Sequence, residues 1–330
     1  MADNKGVLVY GELAGNKLAG TTCELLECGR RLAADLDQHL SCVLTGGVSD
    51  EATADAAARG ATTIYVASVT DGVSLGDTHV AAAAAAVAAA EPAIVLLGHT
   101  ALGREIGPRL AFRLGAAMST DCIDLKIDSD SGKLLMTKPV YGGNALVDTI
   151  AQTSPQLATV RPKAMPSGEP TTGGVPHIVP LTFEVPASRL TVTDRIQEEV
   201  EGVKLDDAPV IVSGGRGVGG PEPFTTVLKE LADALHGAVG ASRPACDNGW
   251  APEAMHIGLT GKIVAPEIYI AVAVSGASQH MSGCSGSKTI IAINKDPEAN
   301  IFREAAFGVV GRFEDIVPAF TTKVRELLAD

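Results

Sequence analysis

Residues 208–237 read APVIVSGGRGVGGPEPFTTVLKELADALHG, and this stretch decides the fold. Ala208 to Ser213 is a short apolar run of the length and composition of a buried strand, and glycines follow it at once. Phe224, Leu228, Leu231 and Leu235 then recur at helical spacing, so a helix is predicted over Pro221 to His236. Pro221 at its start and Gly237 just past its end follow the asymmetry that helix termini favour. A strand, a glycine loop and a helix in that order open a Rossmann-like unit, whose loop N–H groups and helix dipole can hold a phosphate.

The loop Gly215-Arg-Gly-Val-Gly-Gly220 matches the pattern GxGxxG. Two readings are open at this point: a dinucleotide cradle, or a turn whose glycines are structural only. The residues after the next predicted strand, Ala-Ser-Arg-Pro, offer no Asp or Glu to grip a ribose hydroxyl, which weakens an ordinary NAD site.

Downstream, strands are predicted at Ile268 to Val274 and Thr289 to Asn294, with a final helix from Pro318 to Leu328. Upstream, the polar segment TDRIQEEVEGVKLDD reads as a linker over residues 195–207, and the domain boundary is placed near residue 206. From Gly6 to Pro162 short β-rich runs (GVLVY, SCVL, TTIYVAS, AIVLL) alternate with helical runs, including Thr22 to Asp37 and the Ala-rich Val80 to Ala90. Such alternation predicts parallel strands joined by crossover helices. Residues 163–189 are rich in Pro and Gly and predict extended loop or edge strand. The fold class is therefore α/β, with two Rossmann-like domains of mainly parallel sheets over residues 1–205 and 206–330.

Composition excludes several classes of function. A formal charge of -13 with no Lys/Arg-rich run argues against a nucleic-acid partner. The most apolar window, Val80 to Ala90, falls far short of the roughly 20 residues that span a bilayer, so the chain is not expected to be membrane-embedded. Six scattered cysteines without CxxC spacing suit reduced thiols in the bacterial cytoplasm and no metal site, and the first residues read as neither signal nor transit peptide.

Four further segments place small and polar residues at predicted strand ends: Gly240 to Asp247 (GASRPACD), Gly258 to Glu267 (GLTGKIVAPE), Ser275 to Gly283 (SGASQHMSG) and Ile293 to Ala299 (INKDPEA). With the GGRG loop, they closely resemble the FAD-binding domain of electron transfer flavoprotein alpha subunits, nitrogen-fixation homologues included. The match spans Val210 to Pro318 and keeps the family's motif order. The first domain resembles the family more loosely, through LGRE (102–105), PRLA (108–111), PVYGGN (139–144) and TVRP (159–162).

Position by position, the resemblance implies that Arg216 approaches the dinucleotide and Ser242 the pyrophosphate. It implies that Arg243 lies over the isoalloxazine, Thr260 near its N5 edge and His280 near its N1 and C2 carbonyl edge. Ile257, Gly258, Leu259, Ser275, Gly276, Ala277, Ser278 and Gln279 would line the same ligand, and Asn294 would face the adenosine half. Leu259 stands where most members carry Gln, and Arg312 where many carry an acidic residue. Arg104, Arg109 and Asn144 are implied to be structural or interfacial.

One-electron reduction places negative charge at the N1 and C2 carbonyl region, so a guanidinium and an imidazole there would favour it. The plainer alternatives are a surface ion pair of Arg243 with Asp247 and a helix-end role for His280. The other six histidines, His256 among them, show no ligand spacing and read as surface or packing residues.

The resemblance implies an electron carrier rather than an enzyme with its own substrate. It would hold one FAD and pair with a beta subunit that carries AMP or a second FAD. Electrons would pass from an acyl-CoA dehydrogenase or related flavoenzyme, as in fatty acid beta-oxidation, to a quinone oxidoreductase at the membrane. The segment Gly261 to Pro266 is more like relaying members than bifurcating ones, which oxidise NADH with their beta partner. The rivals from other classes are an NAD-dependent oxidoreductase using the glycine loop and a non-redox nucleotide-binding subunit.

Overall fold

The run GVLVY forms the strand Val7–Gly11, buried at all five positions, as a strand covered on both faces must be. The computed structural model describes residues 4–68, 76–143, 145–171, 174–185, 193, 203–205 and 208–328. The chain divides into two compact units, Met1–Ile196 and Gln197–Asp330. Of the linker read at residues 195–207, only 203–205 are described, and Asn144 lies outside the described residues.

In the first unit Val7–Gly11 is central to a seven-stranded sheet in the order His177–Leu181, Thr63–Ala67, Leu40–Thr45, Val7–Gly11, Ile94–Gly98, Gln156–Val160, Met118–Cys122. Every pairing in it is parallel. The Ala-rich stretch is the helix Gly76–Ala90, which buries Val80 to Ala83, Ala86 and Val87. Alanine suits such a position, because it loses no side-chain entropy and allows close approach. The Pro/Gly-rich stretch supplies the strand His177–Leu181 at the sheet's edge, where Pro180 breaks no inner ladder. The helix Asp50–Ala58 eludes the apolar periodicity, since the side chains it buries are Ala52, Thr53, Ala56 and Ala57. Ser49 marks its start by accepting the Ala52 N–H at 3.0 Å.

The second unit is a five-stranded parallel sheet in the order Ala238–Ala241, Val210–Gly214, Ile268–Val272, Thr289–Asn294, Phe307–Val310. The unit's first strand is thus flanked by its second on one side and its third on the other. That reversal of direction opens a crevice at the carboxyl ends of Val210–Gly214 and Ile268–Val272, where open α/β sheets bind ligands.

Two helices differ from expectation. The helix over Pro221 to His236 is broken into Glu222–Thr225 and Val227–Ala234 at Thr226, whose φ is -118° and ψ -102°. The Thr225 and Thr226 hydroxyls both donate to the Glu222 carbonyl, at 3.1 and 2.8 Å, and compete there with the helical ladder. The last helix begins at Phe313 rather than Pro318. Burial of Phe313, Val317, Thr321 and Val324 along one face outweighs the single hydrogen bond that Pro318 forgoes.

Candidate functional site

The glycine loop presses against the neighbouring strand end. Gly215 N–H donates to the Val272 carbonyl at 2.9 Å and Gly217 N–H to the Ala273 carbonyl at 3.3 Å. A Cβ on Gly215 would stand 2.1 Å from the Ala273 oxygen, so only glycine permits this approach. Beside the loop lies a cavity of about 840 Å³, within the size range of ligand pockets. Twelve of the fifteen cofactor-contact residues implied by the sequence line it.

Arg216 follows the glycine and is exposed. Ser242, directly after the strand Ala238–Ala241, is buried, and its Oγ has no hydrogen-bond partner. The side chain does not cap the short helix that follows it, Arg243–Asp247. Arg243 lies at the cavity and also pairs with Asp247, Nε to Oδ2 3.4 Å, with side chains 64% and 60% exposed. An ion pair this exposed contributes at most about 1 kcal/mol, so the guanidinium is readily released to another anion.

The loop of Ile257, Gly258, Leu259 and Thr260 is held by main-chain bonds. Ile257 N–H donates to Ala241 at 2.9 Å and Leu259 N–H to the Gln279 carbonyl at 2.8 Å. The helix Ser278–Cys284 lies so close that a Cβ on Gly283 would be 2.4 Å from Gly258 N. Leu259 and Thr260 are exposed and line the cavity with Ser275, Ala277 and Gln279. Asn294 lines it too, but its amide ties strand ends together: Nδ2 donates to the Val274 carbonyl at 2.9 Å and Oδ1 accepts from Asp296 N–H at 3.0 Å.

His280 is buried, with Nε2 2.8 Å from the hydroxyl of buried Tyr269. Nδ1 is buried and makes no hydrogen bond of good geometry. Burial pushes the imidazole down to about 4, against a smaller upward pull from the Ile257 backbone, and nearby His256 lowers it further. The ring is therefore neutral near pH 7, not the cation anticipated beside a reduced ring.

Three implied residues do not line the cavity. Gly276, at φ 80°, packs its backbone on Ile301; Ser278 is exposed and bonds to Gln279 Oε1 at 3.3 Å. Arg312 borders a separate cavity of about 90 Å³ that shares Gly217, Ala273 and Asn294, and pairs with Glu314 at 3.0 Å.

Conversely, His256, Asp296, Glu298 and Asn300 line the main cavity without having been singled out. His256 is buried, with Nδ1 3.1 Å from Glu253 Oε1. The available signal was its place immediately before Ile257, the first residue of a run already read as ligand-lining.

In the first unit Arg109 pairs with Asp77 and, at 3.4 Å, with Glu105, a structural use of its charge. All six cysteines are free, and burial pushes the Cys42 and Cys284 thiols up to about 12. No helix among the described residues is long and apolar enough to cross a membrane.

These features define a two-unit α/β protein of the Rossmann-like class, with a dinucleotide-sized cavity at the switch point of its second sheet. The unpartnered Ser242 Oγ and His280 Nδ1, with the glycine cradle, fit an extended polar ligand such as FAD. Residues 7–212 match the electron transfer flavoprotein domain, and residues 204–285 the electron transfer flavoprotein FAD-binding domain. Electron transfer flavoprotein subunit alpha of Thermoanaerobacterium thermosaccharolyticum is 37% identical over 99% of this chain and 100% of its own length. The subunit alpha of Bacillus subtilis is 36% identical over 98% of both chains, and Protein FixB of Clostridium saccharobutylicum 37% over 100% of this chain and 99% of its own. The chain belongs to the electron transfer flavoprotein alpha subunit and FixB family.

Proposed function

We propose that the second unit holds one FAD and that the chain, paired with a beta subunit, relays electrons between protein partners in the bacterial cytoplasm. The observation that carries this reading is a cavity at the sheet's switch point whose wall includes two residues, Ser242 and His280, with buried polar atoms of unused hydrogen-bonding capacity. Bound FAD supplies one- and two-electron redox chemistry. The chain's own residues bind and orient: the Arg216 side chain on the glycine loop and the Ser242 hydroxyl face the ligand's phosphates. Arg243 brings a positive charge to the mouth of the cavity, and Thr260 a hydroxyl. His280 offers a neutral N–H from a dry wall. Asn294 and Gly276 hold the strand ends at the correct separation.

In this reading the donor is an acyl-CoA dehydrogenase or related flavoenzyme and the acceptor a quinone-linked oxidoreductase, so partner docking replaces substrate recognition. The beta subunit carries AMP in a simple relay and a second FAD in a bifurcating pair that oxidises NADH. The decisive experiment is coexpression with the beta subunit followed by cofactor extraction. One FAD with AMP supports the relay, and two FAD the bifurcating form. A colourless complex that binds NADH would replace both with an NAD-dependent oxidoreductase.

A further inference from the structure

We infer that Tyr269 is a positioning residue: its hydroxyl donates to His280 Nε2, fixing the imidazole as the Nδ1–H tautomer, so that the cavity receives a donor for a ligand carbonyl. The argument starts from Tyr269, whose ring sits in the core of the second unit with no exposed surface. A buried phenol has one proton to place, and leaving it unpaired costs on the order of 1–3 kcal/mol. Among the described residues, its hydrogen bond of good geometry is the one to His280 Nε2, at 2.8 Å with both groups buried.

A neutral imidazole has one protonated nitrogen and one acceptor. If Nε2 accepts from the phenol, the proton resides on Nδ1. That atom is buried without a hydrogen bond of good geometry, and its ring lines the cavity. The opposite tautomer would put Nε2–H against Tyr269 and turn the phenol proton toward the Ser213 hydroxyl or the Cys284 sulfur, partners of poorer geometry. Two further observations agree. Burial pushes the Tyr269 phenol well above its usual range, so it keeps its proton to donate. The Ile257 backbone raises His280, as a carbonyl does when it faces a ring N–H, and a ligand carbonyl would share that N–H with it.

The ligand half of this inference rests on the reading that the cavity holds flavin; the tautomer half does not. A donor aimed at a carbonyl that gains negative charge favours the charged form without itself carrying charge. His280 then acts on the one-electron step as a fixed dipole, not as a cation, and Tyr269 acts through it.

The test uses the two-subunit complex with 15N-labelled histidine. In the wild type, His280 should show Nε2 unprotonated and Nδ1 protonated. In Tyr269→Phe, which removes the hydroxyl and keeps the ring, Nε2–H should become populated. Wild-type Nε2–H, or a tautomer unchanged in Tyr269→Phe, overturns the assignment whether or not flavin is present.

With flavin bound, the one-electron-reduced form should be about tenfold less stable in Tyr269→Phe at unchanged flavin content. His280→Asn supplies an amide donor that needs no tyrosine, and on that background Tyr269→Phe should have no further effect. A changed tautomer with an unmoved potential overturns the donation to the ligand. A complex without flavin removes the cavity reading and leaves the tautomer result standing.

Discussion

Each of the two units buries a tyrosine–histidine pair, and the pairs end differently. In the first unit the Tyr10 hydroxyl meets His79 Nδ1 at 2.6 Å, and Thr45 Oγ1 lies 3.2 Å from both. In the second, Tyr269 meets His280 Nε2 and leaves Nδ1 over. The contrast extends along the strand ends. In the first unit Glu12 accepts from Thr100 at 2.6 Å, Thr159 meets His99 at 2.9 Å, and Arg161 clasps Asp121 with two hydrogen bonds of 2.9 and 2.7 Å. Among the described residues, the buried side-chain polar atoms that make no hydrogen bond of good geometry are Ser213 Oγ, Ser242 Oγ and His280 Nδ1, all in the second unit. Among the described residues the two sheets thus share an architecture and differ at their strand ends, where the second unit alone keeps buried polar atoms in reserve.

The harshest way to break this contrast is to close the second unit. Gly215→Ala forces a methyl to 2.1 Å from the Ala273 carbonyl. The loop must shift, with an expected loss of about 3 kcal/mol and of most bound flavin, read by thermal unfolding and visible absorbance. Retained flavin at normal stability would show that the close approach is dispensable.

A gentler cut is Arg243→Ala, which removes an exposed positive charge from the cavity's lining. The one-electron potential should fall by about 60 mV, a tenfold change for one electron, with little change in stability because the Asp247 pair is exposed. Stepwise reductive titration measures it, and an unmoved potential takes the guanidinium out of the redox role.

The first unit can be probed through Glu24, whose carboxyl burial raises to about 7 while it accepts the Lys163 N–H at 2.7 Å. The folded state favours the protonated form. That stability is fully present below the unfolded value of 4.5 and is lost as pH rises through 7. Glu24→Gln should therefore lie close to the wild type near pH 4.5 and gain up to about 3 kcal/mol at pH 8, seen as a pH-dependent gap in melting temperature. Parallel melting curves at every pH would argue against a strained carboxylate.

The smallest effect belongs to Arg312→Ala, which loses only an exposed pair with Glu314. A change within about 0.5 kcal/mol is expected, with unaltered flavin content. A marked loss of flavin would extend the ligand site into the smaller cavity beside it.

Strand positions were legible because buried parallel strands are nearly unbroken apolar runs, as Val7–Gly11 and Val210–Gly214 are. The helix Asp50–Ala58 and the exposed edge strand Phe307–Val310 were not, since neither carries a buried apolar pattern to read. The break at Thr226 depended on two hydroxyls choosing one carbonyl, a local competition that apolar spacing does not record.

The chain's residue order by itself determined the α/β alternation, the glycine loop and the segments that gather at the second unit's strand ends, because periodicity and backbone freedom are local properties. Folding in three dimensions decided which of those residues face the cavity, that His256 joins them, and that His280 is neutral with one nitrogen committed to Tyr269. Burial and hydrogen-bond partnership are set by neighbours distant in sequence, so no local pattern encodes them.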